Sequence, residues 1–176
     1  MELDIKKNWD LLENSRMALM QELSKYDNAI LNKKPEPNAW SANQNIIHLM
    51  EAELGSLMYL RKKLSFGSNV PKSGFKSAFR LRMLKIIFAL PLKFKAPPSL
   101  KQPAEVSNFN ELKSTWASQR LDFQDFIDNL PNNVIYGEIW NHPIAGKMNI
   151  GQMIDFFNDH FNRHRLQIEK TLPKVA

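Results

Sequence analysis

The chain contains no cysteine in 176 residues and only six glycines. The lack of cysteine excludes disulfides, thiolate metal sites and a cysteine nucleophile, so any metal ion must be bound by histidine, aspartate or glutamate. So few glycines argue against a glycine-rich phosphate loop, and no Ser-His-Asp pattern is recognisable. No apolar run reaches the roughly 18 residues of a membrane-spanning helix, and the N-terminus lacks the apolar stretch of about 7–15 residues typical of a signal peptide. We therefore expect a cytoplasmic protein.

Acidic residues are missing from one long segment. Between Leu54 and Ala104 there is no Asp or Glu but there are 11 Lys and Arg, whereas the remainder carries 13 basic and 18 acidic residues. The net charge of +6 therefore comes from one segment. A uniformly basic nucleic-acid-binding protein has a different charge distribution, so we expect no nucleic-acid partner.

Four long amphipathic helices are predicted at about residues 3–26, 41–66, 108–130 and 149–171, each followed by a proline or a glycine. The predicted apolar stripes consist of Ile5, Trp9, Leu12, Leu19 and Leu23; Ile47, Met50, Leu54, Leu57 and Met58; Phe109, Leu112, Trp116, Phe123, Ile127 and Leu130; and Met153, Phe157 and Ile168. The predicted N-cap pairs are Ser41 with Gln44, Asn108 with Glu111, and Asn149 with Gln152. No strand is predicted. The sequence therefore predicts an all-α four-helix bundle that forms a single domain over residues 1–176.

A long connection, residues 67–106, separates the second and third predicted helices and contains five prolines. Within it a short helix is predicted at residues 76–90, with one side formed by Phe79, Met83, Ile86, Ile87 and Leu90. The length of this basic insertion allows a crossover between the two helices. We favour a crossover element packed on the bundle with solvated charges. A lid over the site, a surface that recruits an acidic substrate, and an interfacial helix on an anionic membrane are the alternatives.

The chain has four histidines: His48, His142, His160 and His164. Three of them, His48, His160 and His164, form a candidate metal site. His160 and His164 are one turn apart on the same helix face, where both imidazoles can reach one ion. They interrupt the apolar stripe of the last predicted helix and therefore point towards the bundle. His48, at the border of the second stripe, is the natural third ligand, and three histidines leave coordination positions open, as in catalytic zinc sites. The alternative is an ordinary hydrogen-bonded role for each histidine.

Polar residues near these histidines are candidates for supporting roles. Glu51 and Gln44 lie one turn from His48 on the same side of the predicted helix, where either can orient the imidazole or approach the metal. Glu51 is the best candidate for a general base, and Asp159, next to a predicted ligand, is another. A solvated carboxylate on the helix surface is the more ordinary interpretation of both acidic residues.

His142 is predicted to lie in a loop, because the following Pro143 favours an extended backbone at this position. One interpretation places His142 at the mouth of the site. The other, which we favour, is that His142 anchors the chain where it enters the last helix.

Two patterns resemble those of the DinB-like family, also known as the DinB/YfiT-like metalloenzymes. The segment that resembles the family's W-S and H-L signature contains Asn38-Ala39-Trp40-Ser41, then Ile46-Ile47-His48-Leu49 and Glu53. The segments similar to its H-P-x-x-G loop and H-x-x-R-H-x-x-Q-I helix are His142-Pro143-Ile144-Ala145-Gly146 and His160-Phe161-Asn162-Arg163-His164-Arg165-Leu166-Gln167-Ile168. The resemblance covers the bundle from end to end but leaves out residues 67–106.

The resemblance implies a four-helix bundle with a long crossover after the second helix and a divalent metal ion, zinc or nickel, on His48, His160 and His164. Characterised members of the family are thiol-dependent: they transfer bacillithiol or mycothiol sulfur, or isomerise maleylpyruvate. A transferase-like enzyme that activates a low-molecular-weight thiol against a small-molecule substrate is thus implied, and members often form homodimers. Hydrolysis by metal-activated water is the rival reaction. A non-catalytic binding or scaffold protein is the alternative outside enzymes.

Overall fold

The computed structural model describes residues 3–67, 69–89, 103–142 and 145–173. In this part the chain forms seven helices and one two-stranded antiparallel sheet. The elements in chain order are α1 (Leu3–Leu23), α2 (Asn28–Asn32), α3 (Ala42–Leu64), α4 (Phe75–Ala89), α5 (Phe109–Asp128), α6 (Asn132–Ile135), β1 (Trp140–His142), β2 (Gly146–Met148) and α7 (Ile150–Glu169). The four predicted long helices correspond to α1, α3, α5 and α7, which confirms the predicted all-α fold.

The four long helices form the bundle. α7 packs against α1 and α3, and α3 packs against α5. The rings of Trp9 in α1 and Phe123 in α5 meet edge to face, with their centroids 5.5 Å apart. This contact connects α1 to α5. The first long helix therefore packs on the last, and the site-bearing helices α3 and α7 are direct neighbours.

Side-chain caps define where three of the long helices begin. Ser41 and Gln44 form a capping box at the start of α3, and Asn149 and Gln152 form another at the start of α7. Asn108 Oδ1 accepts hydrogen bonds from two backbone N–H groups at the start of α5. All three predicted caps are confirmed. Each cap stabilises its helix by about 0.5–2 kcal/mol, and the caps of α3 and α7 belong to the helices that carry the three histidines.

The buried faces of α1 and α7 are as predicted. In α3 the predicted Met50 and Leu57 are buried, but the rest of the predicted face lies about one residue away from the buried one. Ile46 and Leu60 are fully buried, whereas Ile47 is half-buried and Met58 is 62% exposed. The buried positions of α3 include Glu53, which sequence periodicity treats as a surface residue. The charge of this one core residue explains why the apolar pattern indicated the neighbouring face.

A layer of charged side chains crosses the core. Arg16, Glu53 and Arg120 are buried on three different helices. Arg120 forms a bidentate pair with Glu53, in which Nε donates to Oε2 at 2.6 Å and Nη2 donates to Oε1 at 2.7 Å. Trp116 Nε1 donates to the same Oε2 at 2.8 Å. Glu13 pairs with Arg16 at 2.9 Å and lies 3.6 Å from Arg120 Nη1, so the charges of the layer balance.

A hairpin formed by β1 and β2 precedes α7, where the sequence predicted no strand. Trp140 pairs with Met148, and His142 pairs with Gly146. Trp140 and His142 are buried and Asn141 is exposed, an alternation typical of strands. Three residues are too few for this periodicity to be recognised in a sequence. Gly146 has φ of +79°, a left-handed conformation that glycine adopts without strain and that lets the chain turn back next to His142.

The connection between α3 and α5 contains the predicted helix, which is α4. This helix packs against α7 and β2. Arg80 holds its position by donating from Nη1 to the backbone oxygen of Lys147 at 3.0 Å. The contacts agree with a crossover element packed on the bundle. None of the described helices is both long and apolar enough to cross a membrane.

The buried side of α4 differs from the predicted apolar side. Ser77 and Leu84 are buried, whereas Phe79 and Met83 are exposed. The predicted Leu90 lies outside the described residues, as do the side chains of Ile86 and Ile87. Packing against α7 and β2 thus selected a face that the apolar pattern alone did not indicate.

Candidate metal centre

Three histidines meet between α3 and α7. His48 lies near the start of α3, and His160 and His164 lie one turn apart in the second half of α7. The Nε2 atoms of His48 and His160 are 3.2 Å apart, and one ring nitrogen of each of the three residues lies within 4.8 Å of the others. The structure therefore brings together the three residues predicted as ligands.

The spacing of these nitrogens suits a shared ion. Two nitrogens bound to one tetrahedral zinc ion at roughly 2.0–2.1 Å are about 3.3 Å apart, close to the 3.2 Å between His48 Nε2 and His160 Nε2. The same distance also suits a hydrogen bond between two neutral imidazoles. The fit to a metal therefore rests on the complete donor set, three convergent imidazoles, more than on this single distance.

Burial keeps the three imidazoles neutral near pH 7. Loss of solvation lowers the pKa of His48 to about 4 and the pKa of His164 to about 3, and it lowers the pKa of His160 well below the usual value. Repulsion between neighbouring imidazolium charges adds to the shifts of His160 and His164. As whole residues, His48 and His164 are buried and His160 is half-buried. Neutral imidazole is the form that binds a metal ion, so the site needs no deprotonation step at neutral pH.

Asn45 orients His164, a role that was not predicted from the sequence. His164 Nδ1 lies 2.8 Å from Asn45 Oδ1. The Asn45 amide is itself oriented, because its Nδ2 donates to the backbone oxygen of Ser41 at 2.9 Å. An amide oxygen only accepts, so His164 Nδ1 carries the proton and Nε2 keeps its lone pair for a ligand bond. The available signal was that Asn45 precedes His48 by three residues and so shares its helix face.

Aromatic rings enclose the three histidines. The Trp40 ring centroid is 4.9 Å from that of His48 and 6.2 Å from that of His164, and the Trp40 and His164 rings are nearly parallel, at 21°. Phe156 stacks on His160 with 5.3 Å between centroids and an angle of 14°. These rings restrict rotation of the imidazoles and exclude water from them. Trp40 was noticed in the sequence only as part of a family pattern, and Phe156 was not singled out.

Comparison with known proteins agrees with the fold and with the histidine group. A family model described as the DinB superfamily matches residues 11–168 of the chain. The chain belongs to the DinB superfamily. The chain is also similar to the uncharacterized protein YuaE of Bacillus subtilis (strain 168), with 21% identity over 165 residues that cover 94% of this chain and 97% of that protein. The predicted family is confirmed, and the matched range includes every histidine of the metal-ligand group.

His142 stands beside the metal-ligand group in this member of the DinB superfamily. Its Nδ1 accepts a hydrogen bond from the Ala145 backbone N–H at 3.0 Å, which ties the ring to the hairpin. The His142 ring lies 4.6 Å from the Phe156 ring, and burial lowers the pKa of His142 to about 4. The anchoring contact agrees with the role favoured from the sequence. His142 is also close enough to contribute to the lowered pKa of His160, so a role at the mouth of the site stays a prediction.

The predicted polar neighbours have three different surroundings. Gln44 Oε1 accepts from the Ser41 backbone N–H in the capping box, so this oxygen is already engaged. Glu51 is half-buried, and its Oε2 is buried without a hydrogen-bond partner among the described residues, unlike a solvated surface carboxylate. Asp159 is half-buried on α7. In the described part of the chain, the close metal-ligand group contains none of these three residues.

Proposed function

We propose that this protein is a metal-dependent enzyme in which His48, His160 and His164 hold one divalent ion and a low-molecular-weight thiol is activated to attack an electrophilic small molecule. The observation that carries the proposal is the group of three buried, convergent imidazoles. Nitrogen donors suit zinc or nickel better than magnesium or calcium, which prefer oxygen ligands. Three protein ligands leave a coordination position for a reactant, as in catalytic zinc sites.

Different residues around this centre have different proposed roles. His48, His160 and His164 would hold the divalent ion, which when bound would supply the Lewis acidity that lowers the pKa of a thiol or water. Asn45 holds the His164 tautomer, and Trp40 and Phe156 keep water from the imidazoles. Glu51 is the candidate general base, since its Oε2 is buried one turn after His48 and has no hydrogen-bond partner in the part of the chain that the structure describes. In this scheme Glu51 would take the S–H proton as the sulfur forms its bond to an electrophilic carbon of the substrate. The bond from that carbon to a leaving group would break in the same displacement, and the proton would pass from Glu51 to the leaving group.

Cobalt(II) provides a direct test of thiol binding, because a thiolate bound to cobalt gives a charge-transfer band in the near ultraviolet. We expect the metal-free protein to take up one cobalt ion and to develop this band when 2-mercaptoethanol is added. Ethylene glycol, in which a hydroxyl replaces the thiol, should produce no such band. The His160→Ala variant should fail to produce it with either compound.

The same titration separates the alternatives. A protein that binds cobalt and whose spectrum responds to pH but not to thiol is better explained as a hydrolase that uses water. A cobalt complex whose spectrum changes with neither pH nor thiol would favour a structural metal in a non-catalytic binding protein. The hydrolase alternative is then tested by a screen of small esters and amides. Any activity found should be lost in Glu51→Gln, which removes the candidate general base.

Replacing Asn45 by alanine should weaken metal binding without unfolding the bundle. Removal of a residue that orients a ligand histidine typically costs about 10–100-fold in metal affinity. We expect a loss of this size, measured by competition with a chromophoric chelator. Asn43→Ala is the matched control, because Asn43 is equally buried in the same turn of α3 but donates to Asn28 and Ser107. Equal losses in the two variants would mean that helix packing, and not ligand orientation, was damaged.

A further inference from the structure

The solvent-facing side of α4 carries an apolar stripe. Phe75 is 85% exposed, Phe79 56% and Met83 41%. These residues are spaced four apart, so each lies about 40° further around the helix and one turn further along it than the one before. We call them the α4 stripe. Phe66, just after α3 and nine positions before Phe75 in the chain, is 79% exposed as well.

The α4 stripe is not the face that holds α4 to the protein. Ser77 and Leu84, which are buried, lie on the side of the helix opposite Phe79. A helix that packs on a globular protein normally has charged and polar residues on its outward face. In α4 the outward face is apolar, and burying one exposed Phe or Met side chain is favourable by about 1.5–3 kcal/mol. The stripe therefore has a substantial driving force to leave water.

Basic residues are concentrated in the chain segment that carries the α4 stripe. The segment from Leu54 to Ala104 that contains it has 11 Lys and Arg and no acidic residue. Arg82 is exposed and borders the stripe one turn after Phe79, on the side of the stripe where Phe75 lies. Lys62, Lys63 and Lys72 on the flanking parts of this segment are exposed as well. The surface thus combines a narrow row of large apolar side chains with cations.

We infer that the α4 stripe and its flanking cations form a docking surface for an anionic phospholipid bilayer. An interfacial helix places large apolar side chains about 5–10 Å into the boundary between headgroups and acyl chains, while Lys and Arg bind the anionic headgroups. A symmetric dimer through this face would place the basic segment of one copy against that of the other, and like charges repel. Duplex nucleic acid would account for the cations but would leave the apolar row exposed. An anionic bilayer matches both features.

Co-sedimentation with lipid vesicles tests this inference on the full-length protein. We expect binding to phosphatidylcholine vesicles that contain phosphatidylglycerol, weaker binding at high salt, and little binding to phosphatidylcholine alone. The double substitution Phe75→Ser with Phe79→Ser should reduce the partition coefficient at least about tenfold, because two inserted rings are lost. Arg82→Glu should reduce it about fivefold or more, as each basic residue near the surface contributes.

Matched controls come from exposed residues elsewhere on the bundle. Leu121→Ser and Leu166→Ser remove exposed apolar side chains on α5 and α7 and should leave vesicle binding unchanged. Lys113→Glu repeats the charge reversal on α5. No binding of the wild-type protein to anionic vesicles at low salt would overturn the inference. It would also be overturned if control and stripe variants lost binding equally, or if Phe75→Ser with Phe79→Ser abolished a dimer while vesicle binding persisted.

Discussion

The variant His160→Ala is expected to lose the bound metal ion while the bundle remains folded. His160 belongs to the group of three convergent imidazoles, with its Nε2 3.2 Å from that of His48. Removing one of three ligands should weaken the metal affinity by more than the roughly 10–100-fold that is typical of losing a residue that only orients a ligand. The fold should persist, because helix stability in a bundle comes mainly from the packed apolar faces. Elemental analysis of untagged protein gives the metal content per chain, and circular dichroism gives the helix content.

The fourth histidine provides the control for this experiment. His142 lies outside the close ligand group, and its Nδ1 accepts from the Ala145 N–H. In His142→Asn the Asn oxygen can still accept this hydrogen bond, so we expect wild-type metal content. A wild-type protein that contains no metal and takes none up on reconstitution would contradict the proposed enzyme and favour a scaffold protein. Global unfolding of the wild-type protein on metal removal would identify a structural metal instead.

Disruption of the charged layer should have the largest effect on stability. In Arg120→Met the bidentate partner of Glu53 is lost, which leaves a buried carboxylate without its counter-ion. Breaking one side of a buried ion pair typically costs about 3–5 kcal/mol. We expect a decrease of this size in the free energy of unfolding, measured by urea denaturation with an unchanged m-value.

A second ion pair between the same two helices serves as the control. Arg61 and Asp122 also form a bidentate pair between α3 and α5, but both side chains are about half exposed. Arg61→Met should therefore cost about 1 kcal/mol or less. The double variant Arg120→Met with Glu53→Leu should recover part of the lost stability, because it removes the unpaired charge. If Arg120→Met and Arg61→Met had equal small effects, water would have to solvate Glu53 in the folded protein.

Local features of this protein were predictable from the sequence. The caps at Ser41, Asn108 and Asn149 depend on residues three positions away, and the structure has all three. The placement of His160 and His164 on one face of α7 likewise follows from a spacing of four. The reason is physical: helix periodicity and capping involve contacts within one or two turns, so the sequence of a single segment contains the necessary information.

Contacts between distant segments were decided by the tertiary structure. Asn45 reaches His164 across 119 positions, and Glu53 pairs with Arg120 across 67. A buried charge resembles a surface charge in the sequence until its partner is known, which is why the buried face of α3 was predicted one residue away from its true position. The hairpin at Trp140 to Met148 depends on pairing between two strands of three residues each, too short to show a pattern. The sequence by itself determined the four long helices and α4, and which of the helical residues could bind a metal; the short helices α2 and α6 were not predicted. Packing alone decided which helix faces meet, and therefore that His48, His160 and His164 converge.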